Sequence, residues 1–150
     1  MAVKAVIGEA EYALAPLTES LGFLTRVVQV QINERIRAGG GVHVSLAVFS
    51  ALRLFQANPG IRQTHAARIL LIQESNMASL VKDLLEQGLI ERRGDAGRRG
   101  GLWITAKGEG EIAQGAWTDK IDRSYTRVLS DQEYRQLVQL LNRVYRASLA

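Results

Sequence analysis

The stretch from Gln73 to Thr105 constrains the fold of this chain more than any other. After a polar turn it carries an amphipathic run that Gly88 ends, which predicts a helix with one buried face. Two short segments typical of β-strands follow, Leu89–Arg93 and Leu102–Thr105, and a loop of glycines and arginines joins them. The apolar face, which we expect in the core, consists of Met77, Leu80, Val81, Leu84 and Leu85. The stretch therefore predicts a helix with a basic β-hairpin behind it.

Two shorter helices are predicted before this stretch. Ser45–Ala57 begins with a residue that favours the N-cap and ends before Asn-Pro-Gly, which a helix does not continue through. Arg62–Leu70 is the next helix, and Leu71 and Ile72 make the turn that follows it. A short helix, a tight turn and a second helix form a helix-turn-helix, whose second helix enters the major groove of DNA. Residues 45–105 therefore predict a winged helix-turn-helix lobe.

Long apolar helices are predicted on both sides of this lobe. Leu17–Ala38 carries a wide apolar stripe, and Lys107–Val128, which Thr105 precedes as an N-cap, carries another. Ser130-Asp131-Gln132-Glu133 is a capping box that starts a last helix to about Ser148. The stripes exceed what one small lobe can cover, so we expect residues 17–38 and 106–150 to be dimerisation helices. Residues 1–16 show no sustained periodicity of apolar residues.

The predicted fold is mainly α, with a small β-hairpin wing, in a single domain of 150 residues. The net charge of +4 permits nucleic-acid binding without indicating it. The absence of cysteine excludes disulfides and thiol chemistry, and His43 and His65 lack metal-site spacing, so we expect neither a cofactor nor a metal. No apolar run approaches the roughly 20 residues of a membrane span. We therefore expect a cytoplasmic protein without membrane contact.

Several segments, taken in order, are similar to the MarR family of bacterial transcriptional regulators. They are SLGFLTRVV, NPGIRQTHAARIL, ESNMASLVKDLLEQGLIERR, a shortened wing from Asp95 to Arg99, LWITAKGE and LSDQE. The resemblance implies a homodimer that binds pseudo-palindromic operator DNA. It also implies repression that a small aromatic or phenolic acid, or its thioester, relieves. Two departures are Gly97, where an acidic residue usually precedes the wing arginines, and Ser79, where a basic residue is common.

The candidate DNA-contacting residues lie on the predicted recognition helix, on the wing and at the start of the preceding helix. Asparagine pairs with adenine through two hydrogen bonds, and serine serves a base or a phosphate. Arginines at the wing tip suit the minor groove or the phosphates, and at most one of Arg92 and Arg93 faces DNA because they alternate on a strand. Simple solvated positions are the alternative. The candidates are Arg62, Gln63 (or Thr64), Gln73, Ser75, Asn76, Ser79, Lys82, Arg93, Arg98 and Arg99.

The resemblance also implies an effector pocket between the dimerisation helices and the DNA-binding lobe. Apolar walls with a few polar groups are usual for such pockets. Arg26 or Arg53 is suited to hold a carboxylate, and His43 a phenol or carboxylate. The alternative for each residue is ordinary packing or ion pairing. The candidates for a small aromatic effector are Phe23, Arg26, Val27, Val30, His43, Phe49 and Arg53.

Other functions have less support in the sequence. The sequence has no nucleophile with a matching base, no P-loop and no dinucleotide-binding glycine motif. Their absence argues against an enzyme. A helical protein-interaction adaptor and a DNA-binding protein without an effector are the two alternatives that stay open.

Overall fold

The computed structural model of the chain describes residues 4–7, 9–15, 17–38, 45–94, 100–114 and 126–149. The chain divides into two compact units, Met1–Gly41 and Val42–Ala150, which are described separately below. None of the helices in these ranges has the length and apolar character that a membrane crossing requires.

The first unit begins with a β-hairpin. Strands β1 (Lys4–Ile7) and β2 (Ala10–Ala13) are antiparallel, with Lys4 opposite Ala13. A 3-10 turn, Leu17–Glu19, leads into helix α1, Leu21–Ala38. The sequence predicted no element before Leu17, because strands of four residues are too short to show alternation clearly.

Helix α1 starts later than the predicted Leu17. The hydroxyl of Ser20 accepts a hydrogen bond from the Phe23 backbone N–H at 3.3 Å, so Ser20 acts as the N-terminal cap. Part of its apolar stripe is exposed, as we expect for a surface that a partner covers. The exposed members are Leu21, Leu24, Val28 and Val30.

The second unit contains the lobe that the sequence predicted and the last helix. The elements of this unit are α2 (Leu46–Ala57), α3 (Gln63–Ile69), α4 (Glu74–Glu86), β3 (Ile90–Arg93), β4 (Gly101–Ile104), α5 (Ala106–Gln114) and α6 (Asp131–Ser148). Strand β3 pairs antiparallel with strand β4, and an isolated bridge between Ile61 and Leu102 extends this sheet.

One apolar core joins helices α2 to α5 and the hairpin. The predicted apolar face of α4 takes part in it, with Leu80 and Leu85 half-buried at its edge. Small residues on α3 permit the close approach of its neighbours, since alanine adds little beyond the backbone cylinder. The buried apolar residues are Ala51, Leu52, Phe55, Ala66, Ala67, Met77, Val81, Leu84, Leu89, Ile90, Leu102 and Ile112.

Local capping signals predicted most helix starts correctly. The hydroxyls of Ser45 and Thr105 accept hydrogen bonds from the backbone N–H groups of Val48 and Gly108, at 3.3 and 3.1 Å. The predicted helix end at Val128 was wrong, because this residue lies in a turn and is 89% exposed. Residues 115–125 of that predicted helix lie outside the described part of the chain.

The predicted capping box at the start of α6 is confirmed. The Ser130 hydroxyl accepts from the Glu133 backbone N–H, and the Glu133 carboxylate accepts from the Ser130 backbone N–H at 2.7 Å. Hydrogen bonds from the Ser130 side chain and backbone hold the pKa of Glu133 below its ordinary value of 4.5.

We expect acid to weaken this cap. A carboxyl group whose pKa is lower in the folded protein stabilises the folded state above its unfolded-state pKa, and this contribution is lost as the pH falls through the folded-state pKa. Glu133→Gln should therefore lower the thermal unfolding midpoint at neutral pH, and the difference from wild type should shrink as the pH falls below 4.5 and disappear below the folded-state pKa. Thermal unfolding followed by circular dichroism at a series of pH values measures this difference. A difference that does not depend on pH would contradict the role of the Glu133 carboxylate in the cap.

Candidate DNA-binding interface

Helices α3 and α4 meet at a tight turn. Leu71 adopts the left-handed conformation there (φ 52°), which costs a residue with a side chain about 1–2 kcal/mol. The Ile72 backbone N–H donates to the Ala67 carbonyl at 2.9 Å and closes the turn. Ala66 and Ala67 are buried and pack α3 against the core. The turn therefore begins from a helix whose position is fixed by packing.

A groove runs along the outer face of α4. The start of α3 and the base of the hairpin border it, and its lining combines polar and apolar side chains. It brings together four of the predicted contact residues and the alternative Thr64. These residues are Gln63, Thr64, Ser75, Ser79 and Lys82.

Some polar groups of α4 already have partners within the helix. The Ser79 hydroxyl donates to the Ser75 carbonyl at 3.3 Å, and the Lys82 amine lies 3.7 Å from the Glu86 carboxylate. Both side chains of this ion pair are exposed, so the pair contributes little and does not prevent Lys82 from meeting a phosphate.

The other predicted contacts near these helices are exposed and lie outside the lining of the groove. They sit at the two helix starts, where Arg62 and Gln73 occupy the N-cap positions without a side-chain capping bond. Asn76 lies in the first turn of α4. The Gln73 amide is therefore not used for capping.

The two arginines of strand β3 have different surroundings. Arg93 Nε donates to Glu91 Oε1 at 2.8 Å, Nη2 donates to the same oxygen, and the guanidinium lies 4.8 Å from the centre of the Trp103 ring. Arg92 borders the groove instead. Its Nη1 donates to the Gly100 carbonyl and its Nη2 to Gln63 Oε1, both at 3.0 Å. Arg98 and Arg99 lie outside the described residues.

Arg92 is a site residue that the sequence reasoning did not select. The signal was present, because side chains alternate along a strand and buried Ile90 lies two residues before Arg92. Arg92 therefore shares the inner face of β3, whereas Arg93 shares the face of Glu91.

The C-terminal end of α4 is held by the start of α5. Thr105 Oγ1 donates to the Gly88 carbonyl at 2.7 Å, and the Thr105 backbone N–H donates to the Leu89 carbonyl at 3.1 Å. Lys107 Nζ donates to the Gln87 carbonyl at 2.8 Å, where a cation also complements the helix dipole. Gly88 takes a left-handed conformation (φ 67°) that ends the helix.

A second connection comes from α6. The Tyr145 hydroxyl donates to the Ile69 carbonyl at 2.8 Å, at the last residue of α3. Helix α4 is thus tied at the turn before it by α6 and at its C-terminal end by α5.

The predicted effector residues are described in separate units. On α1, Phe23 and Val27 are half-buried, and Arg26 and Val30 are exposed. On α2, Phe49 is half-buried and Arg53 is exposed, while His43 lies outside the described residues. The effector site therefore stays a prediction.

Known proteins resemble this chain across the lobe and beyond it. The model of the MarR family matches residues 44–100. A MarR-family transcriptional regulator from Rhodococcus sp. RHA1 shares 25% sequence identity and a TM-score of 0.72, over 87% of this chain and 97% of that one. The family-model match spans most of the winged helix-turn-helix lobe, so the lobe is similar to that of the MarR family. The predicted winged helix-turn-helix fold and the predicted resemblance to this family are both confirmed.

Two other similar structures carry bound molecules. The transcriptional repressor CouR bound to a 23-mer DNA duplex shares 27% identity and a TM-score of 0.77, over 90% of this chain and 99% of that one. CouR bound to p-coumaroyl-CoA shares 26% identity and a TM-score of 0.76, over 89% and 96% of the two chains. A search of curated proteins finds no match.

Proposed function

We propose that this chain is a MarR-family, sequence-specific transcriptional repressor that binds operator DNA as a homodimer and is released by a small aromatic acid or its thioester. The observation that carries this proposal is the groove of α3, α4 and Arg92 on a fold shared with a DNA-bound repressor. The matched relatives are transcriptional regulators, a class of proteins that are not enzymes.

The groove and the helix starts beside it have the chemistry that DNA recognition needs. Phosphate contacts position a protein on the duplex, and hydrogen bonds to base edges specify the sequence. Lys82 and Arg62 supply positive charge for phosphates, and Ser75 and Asn76 supply hydrogen bonds near the start of α4. Arg98 and Arg99 are the proposed wing contacts.

Exposed apolar surface supports the dimer. None of the residues of α6 is buried, although one side of this helix is strongly apolar. A monomer rarely leaves such a stripe uncovered, and a two-fold dimer is the commonest way to cover it. A two-fold axis also places the two copies of α4 about one helical turn of DNA apart. The exposed apolar residues of α6 are Leu137, Val138, Leu140, Leu141, Val144 and Tyr145.

The effector proposal rests on the CouR complex and on the residue types in the sequence. Phe23 and Phe49 are aromatic, and Arg26 and Arg53 carry guanidinium groups that suit a carboxylate. An effector releases DNA only if it binds the DNA-incompetent arrangement more tightly than the competent one.

A binding assay with a selected duplex tests the proposal. The wild-type protein is used to select a duplex from random DNA, and fluorescence anisotropy follows its binding with a shuffled duplex as control. Sedimentation measures the oligomeric state. We expect a dimer that prefers the selected duplex and that p-coumarate, salicylate or p-coumaroyl-CoA releases, whereas CoA alone does not. A protein that selects no DNA at low salt would contradict the proposal.

Asn76→Ala should weaken binding to the selected duplex by about 1–3 kcal/mol, because asparagine near the start of a recognition helix reads base edges. Binding to the shuffled duplex should change little. Gln56→Ala is the matched control, since Gln56 is an exposed amide near the C-terminal end of α2 and belongs to neither α3 nor α4. An equal loss on both duplexes would show that Asn76 does not read bases.

A further inference from the structure

Arg92 connects the wing to the helix-turn-helix through two hydrogen bonds from one guanidinium. Nη1 donates to the Gly100 carbonyl, at the beginning of the returning strand, and Nη2 donates to Gln63 Oε1, at the first residue of α3. Both contacts are 3.0 Å long and partly buried. The guanidinium therefore lies where the wing, α3 and the groove meet.

The space that Arg92 occupies depends on a glycine. A Cβ atom at Gly100 would lie 2.9 Å from Arg92 Cγ and 2.9 Å from the Arg93 carbonyl oxygen. Since real Cβ atoms avoid such distances, a side chain at this position would displace the stem of Arg92. The missing side chain thus lets Arg92 reach across to α3.

The bond to Arg92 determines which way the Gln63 amide points. Arginine has only donors, so Gln63 must present its carbonyl oxygen to Nη2. Its Nε2 group points the other way, and among the described residues it has no hydrogen-bond partner. Gln63 also lines the groove, so this group is a donor available at the DNA-facing surface.

The bond to Arg92 engages the half of the Gln63 amide that adenine reading also needs. That pairing needs the oxygen to accept from the adenine N6 amine while the nitrogen donates to N7. The oxygen here already accepts from Arg92, and the NH2 group, with its two N–H donors, stays available. Donors of this kind suit a phosphate oxygen, because phosphates accept from many directions and dominate protein–DNA hydrogen bonding.

We propose that Arg92 is a positioning residue that orients the Gln63 amide as a donor to a DNA phosphate, so that wing and α3 meet the backbone in a fixed relation. This inference rests on the proposed DNA-binding function. It assigns Gln63 a sequence-independent contact and Arg92 a role that its charge alone does not fulfil.

The main test compares Arg92→Lys with wild type on the selected and shuffled duplexes. Lysine keeps the positive charge, but its single nitrogen does not reproduce the two-armed geometry of a guanidinium. We expect Arg92→Lys to lose roughly 3- to 10-fold in affinity on both duplexes, as for one lost hydrogen bond. An affinity equal to wild type would overturn the proposal, because charge would then be sufficient.

A double-mutant cycle shows whether Arg92 acts through Gln63. If it does, Arg92→Lys should cost less than about 2-fold in a Gln63→Ala background, since no amide is left to orient. If the fold-losses in affinity of Arg92→Lys and Gln63→Ala simply multiplied in the double variant, the two residues would act independently and the proposal would be overturned. Urea unfolding of each variant measures whether the fold itself has changed.

Gln63→Glu and Gln63→Ala test the contact without altering the wing. The carboxylate of Gln63→Glu still accepts from Arg92, but it has no donor and places a negative charge toward the phosphates. Gln63→Glu should therefore bind both duplexes more weakly than Gln63→Ala. A Gln63→Ala loss confined to the selected duplex would indicate base reading and overturn the proposal. If wild type itself selects no DNA, the proposed function fails instead.

Discussion

Gly108→Ala should destabilise this protein, whereas Gly110→Ala, two positions later on the same helix, should stabilise it. A Cβ atom at Gly108 would lie 2.2 Å from the Leu89 carbonyl oxygen and 2.8 Å from Ile104 Cγ1. At Gly110 nothing lies within 4 Å. The two substitutions add the same methyl group to the same helix, so their difference isolates the contact between α5 and the end of α4.

The size of the effect follows from what must move. The Leu89 carbonyl is backbone and accepts the Thr105 N–H, so it cannot turn aside without loss of that bond. Overpacking costs about 1–3 kcal/mol, and this cost exceeds the gain of roughly 0.5–1 kcal/mol from replacing a helical glycine with alanine. At Gly110 only the gain applies. Urea unfolding measures the free energy of unfolding of both variants. If both substitutions changed this free energy in the same direction, the packing described at Gly108 would be contradicted.

Phe55→Ala should be the most damaging single substitution in the core, at about 3–5 kcal/mol. Phe55 is 0% exposed and lies within the cluster that joins α2 to α3, α4 and the hairpin. Its removal leaves a cavity that the small residues Ala51, Ala66 and Ala67 cannot fill. The urea midpoint should fall while the slope of the transition stays constant.

Phe49→Ala provides the comparison for this prediction. Phe49 lies on the same helix but is only half-buried and is not a member of the buried cluster. Its loss should cost clearly less than the loss of Phe55. Equal costs at the two positions would show that the core is not centred where the structure has it.

The lobe was predictable because its signals are local. Apolar spacing identified the buried face of α4, and Ser45, Thr105 and Ser130 identified helix starts through bonds to groups three residues away. The first hairpin escaped prediction because its strands have four residues each and are rich in alanine, which has a weak strand preference.

The site was predictable only in part. The outward residues of α4 follow from helix periodicity, and the groove contains Ser75, Ser79 and Lys82 as expected. The bond between Arg92 and Gln63 spans 29 positions, and no local pattern indicates it. The bond that Lys107 makes at the end of α4 was equally hidden, because its acceptor is a backbone carbonyl and any residue provides one.

The bond from Tyr145 to the Ile69 carbonyl has a consequence for the order of assembly. Its donor is made 76 residues after its acceptor. At about 5–20 residues per second, the ribosome adds Tyr145 roughly 4–15 seconds after Ile69, long after local helices form. During that interval the turn between α3 and α4, with its left-handed residue Leu71, lacks the bond to α6. A newly made chain therefore passes through a stage in which α6 does not yet hold the N-terminal side of α4.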